Sequence, residues 1–126
     1  MTKAAAYYNF WSQFGIPAFD ESSVPDGSDA VGFPRITYEF GTDAFSDSGV
    51  ALTASLWFRS PSWVEINATV DAISAVIGRG GVMYPCDGGN FWITRGSPWA
   101  LRMGDENDDK IKRCVFNVLV HWNTPD

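Results

Sequence analysis

Histidine occurs once and cysteine twice in this chain of 126 residues. A single histidine, His121, leaves no His cluster to hold a transition metal and only one ordinary candidate for a general base near neutral pH. Cys86 and Cys114 belong to no CxxC pair and sit among apolar neighbours. Two such cysteines do not build a disulfide framework, and they read as buried free thiols. Long hydrophobic runs are missing too: no stretch approaches the ~20 apolar residues that cross a bilayer. The opening MTKAAAYYNF has no apolar signal core, so the expectation is a protein made and kept in a reducing cytoplasm. Bases are scarce, with nine Lys and Arg against fifteen Asp and Glu and a net charge of −6. That balance argues against nucleic acid as the main partner, because phosphate binding needs a basic surface.

The deficit of bases is uneven. Residues 1–50 carry seven acids (Asp20, Glu21, Asp26, Asp29, Glu39, Asp43 and Asp47) against Lys3 and Arg35, whereas from residue 51 onward seven bases meet eight acids. Aromatic rings are plentiful, at 15% of residues with six Trp and nine Phe. Two destinations stand open for them: a tightly packed core, or contacts with other subunits. With 45% hydrophobic and 19% charged residues, the chain suits one compact domain spanning 1–126.

Tyr7, Phe10, Trp11 and Phe14 repeat at helical spacing, which predicts a helix over 4–14 that is stopped by Gly15 and Pro17. Residues 18–32, rich in Asp, Ser, Pro and Gly, read as a long loop. Alternation predicts a strand over Arg35–Phe40 and a second over Val50–Arg59, joined by a polar turn at 41–49. The second strand turns Val50, Leu52, Ala54, Leu56 and Phe58 to one face and Thr53, Ser55, Trp57 and Arg59 to the other. Ser60-Pro61-Ser62 starts a second helix, with Pro61 at its first position or Ser62 and Glu65 as a capping box. Its apolar stripe is Trp63, Ile66, Val70, Ile73 and Ile77, and Gly78 ends it. Three more strands are expected: 81–85, then 91–95 after the turn Asp87-Gly88-Gly89, and 110–122 after a break at Gly96-Ser97-Pro98. The expected class is α+β, a mostly antiparallel sheet with two helices packed on it, in the order α-β-β-α-β-β-β.

No constellation of catalytic residues emerges. His121 beside Trp122 reads as a packed or surface residue, and no serine occupies a GxSxG turn. The acidic run at 104–109 departs from the ligand spacing of a calcium loop, and its charge is offset by Lys110, Lys112 and Arg113. The glycines at 78–81 follow a helix instead of opening one, so they read as a helix stop and not as a phosphate cradle. The expectation is a protein with no catalytic, metal or cofactor site. A competing reading is a small ligand-binding domain whose pocket Trp57, Trp92 and Trp99 would line.

The series Phe33-Pro34-Arg35-Ile36-Thr37-Tyr38-Glu39, the strand Val50–Ser60 and the helix ending at Ile73–Gly78 resemble the tail-completion, or tail-terminator, family of siphophages. The segments 95–99, 102–105 and 109–113 are also similar to tail proteins of phages of Gram-positive hosts. The resemblance runs from Tyr8 to Trp122, and the stretch from Asp20 to Gly32 carries no matching motif. It implies a non-enzymatic virion protein at the head-tail junction: a homo-hexameric ring on the last ring of tail-tube protein, meeting the head connector, with DNA passing through its lumen. An adaptor or stopper of the connector is the alternative in the same setting. For such a ring, the candidate subunit or tail-tube contacts are Trp57, Arg59, Arg95, Trp99, Arg102, Asp105, Asp108 and Asp109.

Overall fold

The computed structural model describes residues 1–23, 32–45, 48–104 and 107–126. Helix α1 spans Lys3–Ser12 and α2 spans Val64–Val76. The strands are β1 (Ala18–Asp20), β2 (Arg35–Tyr38), β3 (Val50–Arg59), β4 (Val82–Cys86), β5 (Gly89–Gly104) and β6 (Ile111–Asn123). They form one sheet in the order β1-β2-β3-β6-β5-β4. Every pairing is antiparallel except β1 with β2. The broad α+β class with two helices holds, and the element order gains a strand.

That extra strand corrects the expected long loop. Ala18-Phe19-Asp20 lies parallel to Ile36-Thr37-Tyr38, and a 3-10 turn follows at Glu21–Ser23. Three residues carry too little periodicity to announce a strand; what makes one is the neighbouring edge of β2, with Ile36 N donating to Pro17 O.

A second correction concerns Gly96-Ser97-Pro98. β5 does not break there. It runs sixteen residues along β6 and absorbs the irregularity as a bulge between Arg95 and Ala100. Gly96 suits this passage, since a Cβ there would stand 3.0 Å from Asn117 O. The helix start differs as well: α2 begins at Val64, and Trp63 occupies the cap without a side-chain bond. Ser62 Oγ accepts from Val64 N instead, so neither expected capping arrangement forms.

The even-numbered residues of β6 from Cys114 to Trp122 and Leu52, Ala54, Leu56 and Phe58 of β3 face inward and are buried. α1 packs over one end of this inner face and touches both β1 and β4, which lie at opposite edges of the sheet. The sheet therefore curls around α1. Tyr7 is the hub: its ring lies 5.5 Å from Tyr38, 5.6 Å from Phe91 and 6.0 Å from Trp122. The Tyr38 and Phe91 pairs are edge-to-face, and such pairs add about 0.5–1.5 kcal/mol each beyond area burial. Most of the large rings thus go to the core, with Tyr8, Phe45 and Trp92 the exposed exceptions among the described residues. α2 covers the other end of the inner face through Ile66, Ile73 and Ile77.

Candidate assembly surfaces

The outer face of the sheet carries its own organisation. Arg35, Trp57, Arg113 and Met103 are directly opposite one another across β2, β3, β6 and β5. Arg35 and Arg113 lie over the Trp57 ring at 5.1 and 4.5 Å, and Trp57 Nε1 donates to Thr37 Oγ1 at 3.0 Å. Arg113 also donates to the buried Ser55 hydroxyl from Nε and Nη2. Burial lowers the Arg113 pKa, and the neighbouring Glu21 carboxylate opposes that shift. Arg59 stands beside this row, over the Phe33 ring at 5.1 Å and ion-paired with Asp108 at 2.9 Å.

Two of the expected contact groups, Trp57 with Arg59 and Asp108, are thereby brought together at one end of the sheet. Asp108 also accepts from Lys110 N, which fixes the turn into β6. Asp109 is exposed next to it, its carbonyl accepting from Lys112 Nζ. Asp105 lies outside the described residues.

Arg95 and Trp99 point to the other face and serve the fold. Arg95 Nε donates to Ile77 O at 2.6 Å and its Nη2 to Ser74 O, so a cation sits on the last carbonyls of α2. Trp99 stacks under that guanidinium at 5.0 Å and donates to Ser74 Oγ at 3.0 Å. Arg102 is exposed beside the start of α2, over the Trp63 ring at 5.0 Å and donating to Asn67 Oδ1.

Trp57, Trp92 and Trp99 do not converge on a pocket. Trp99 packs on Phe116 inside the bulge, while Trp92 lies on the outer face against His121 at 4.9 Å. The β6 partners of Trp57 and Trp92 are Arg113 and His121, eight residues apart, or about 27 Å of strand. A cleft of about 310 Å³ lies instead between α2 and β5, lined by Trp63, Ile66, Val70 and Arg102. Cys114 borders it, a buried thiol whose pKa is raised by desolvation. Cys86 is half-buried and likewise free, and no group of three metal-ligating side chains occurs among the described residues.

The sequence reading missed two pairs of exposed apolar side chains, Met83 with Trp92 and Leu101 with Met103, about 20 Å apart along β6. Met83, Trp92, Leu101 and Met103 are 58, 38, 43 and 44% exposed, four of the eight large hydrophobics so exposed among the described residues. All four lie on the outer face of β4 and β5. The signal for the second pair is the alternation Leu101-Arg102-Met103, hidden behind the expected break at Gly96-Ser97-Pro98. No family model, curated protein or solved structure matches the chain.

Proposed function

We propose that this chain is a virion structural protein, the tail-terminator subunit of a siphophage tail, which forms a ring on the end of the tail tube and meets the head connector. The observation that carries the reading is a pair of exposed apolar patches on the outer face of the sheet, Met83 with Trp92 and Leu101 with Met103. Four of the large apolar side chains exposed on this chain share that one face, and exposed apolar patches of this kind are what a partner subunit covers. The two sides of the sheet are different strands, so self-association through them is head-to-tail, the kind of contact that closes a ring.

The order of motifs that resembles tail-terminator proteins gives the ring its place on the virion. The net charge of −6 suits a ring through which DNA slides, because an acidic lumen repels phosphate. The array of Trp57, Arg59 and Asp108 provides a polar contact at the end of the sheet facing the tube or the connector. A tube-growth assay tests the function: added to polymerising tail-tube protein, this chain stops elongation at a stoichiometry of one ring per tube. Unaltered tube growth at saturating protein contradicts it.

A further inference from the structure

β5 outruns its neighbour. β4 pairs with it only from Gly89 to Ile93, so beyond Ile93 no strand among the described residues pairs with the outer side of β5. An uncovered strand edge is a template for another strand, and proteins that stay monomeric blunt such edges with lysine, proline or short length. β4 is blunted in this way, with five residues and Pro85. The stretch Ala100–Gly104 has neither proline nor lysine, and its outer face shows Leu101 and Met103. At the opposite side of the sheet, β1 has β2 on one side and no strand among the described residues on the other.

We infer that the subunits of the ring join by strand addition, the free edge of β1 in one copy pairing with Ala100–Gly104 of β5 in the next, with Asp20 opposite Arg102. Two independent features select a second copy as the occupant. The first is facial matching. In the sheet, Leu101 and Met103 face outward and Arg102 inward, as the pairing of Arg102 with the inward Cys114 fixes. In β1, Phe19 faces outward and Asp20 is paired with the inward Tyr38. A continued sheet sets apolar Phe19 beside outward Leu101 or Met103, and among the registers this parity allows, the one with Asp20 on Arg102 pairs acid with base. The register is the same either way: a parallel strand places Phe19 on Leu101, an antiparallel one places it on Met103, and both place Asp20 on Arg102.

The second feature is charge. Arg102 meets no carboxylate at ion-pair distance among the described residues. Asp20, Glu21 and Glu39 crowd the β1 side, and burial together with the two neighbouring acids raises the Glu21 pKa, which Arg113 only partly offsets. An arriving guanidinium relieves that repulsion. This inference rests on the ring reading and adds how the ring is closed.

Charge exchange tests it. Asp20→Lys and Arg102→Glu each weaken ring formation at least tenfold, measured by sedimentation of the protein alone and by rings on tubes. Mixed one to one, the two single variants assemble into a ring of alternating subunits, because every edge then joins opposite charges, the native Asp20–Arg102 pair at one interface and the exchanged pair at the next. Asp20→Lys and Arg102→Glu in the same chain restore the ring. Leu101→Glu, on the outer face of the same edge, also blocks assembly, and circular dichroism melting separates loss of assembly from loss of fold. Single variants that assemble like the parent, or a folded double variant that stays monomeric, overturn the strand pairing. A parent ring that forms in solution and leaves tubes uncapped retires the terminator reading alone. Capping that survives every edge variant retires the edge pairing alone.

Discussion

Arg95 shows how one side chain can look like surface in a sequence and act inside a fold. Its guanidinium holds two carbonyls at the end of α2 and stacks on Trp99. Arg95→Ala removes charge-assisted bonds and is expected to cost about 1.5–3 kcal/mol, read as a lower denaturant midpoint. Arg95→Lys recovers little of it, because one ammonium cannot reproduce the planar fork that reaches both carbonyls. The turn residue Gly89 is equally constrained: its φ is +154°, and a Cβ there would lie 2.1 Å from Asn123 O. Gly89→Ala is expected to destabilise the β4–β5 hairpin by about 2 kcal/mol or more, with a matching fall in melting temperature. The ion pair of Arg59 and Asp108 behaves differently. Arg59 is exposed and Asp108 half-buried, so the pair itself contributes under about 1 kcal/mol, and Asp108→Lys costs about 1–2 kcal/mol because the turn bond from Lys110 N is lost with it. A larger effect of that change on ring formation than on melting marks Asp108 as a contact.

At the scale of elements, legibility tracked length and periodicity. β3 is visible to the residue, since Val50–Arg59 alternates without interruption between a polar turn and a proline. α1, the apolar stripe of α2 and the inward face of β6 follow from spacing in the same way. What spacing could not show was structure imposed from outside the segment. β1 is a strand because β2 offers it an edge, and β5 continues through Gly96–Pro98 because β6 holds both halves in register. The same limit governs the candidate site. Trp57 and Arg59 stand out as polar-face residues of a strand, and Asp108 as part of an acidic turn, yet only the β3–β6 register brings them together. Arg35 and Arg113, which enclose Trp57, lie far apart in the chain and carry no local signal.

For the molecule as a whole, the ring cluster in the curled sheet sets how the fold responds to alkali. Tyr38 is pushed up to about 12 by burial, and Tyr7 is raised further for the same reason. Unfolded tyrosines lose their protons near pH 10, so above that pH the unfolded chain binds fewer protons than the native one. The contribution of both phenols is complete below pH 10 and declines from there through about 12. Tyr38→Phe is expected to flatten this decline, followed as melting temperature against pH. The same curled sheet leaves Met83, Trp92, Leu101 and Met103 exposed on its outer face, and the proposed function turns on that face.

Electron microscopy of purified tail tubes mixed with this protein tests that function most directly. The account expects a single ring on one end of each tube, with the other end bare and no rings along the shaft. Bare tubes at both ends, with the protein monomeric by mass alone and in the mixture, would contradict it.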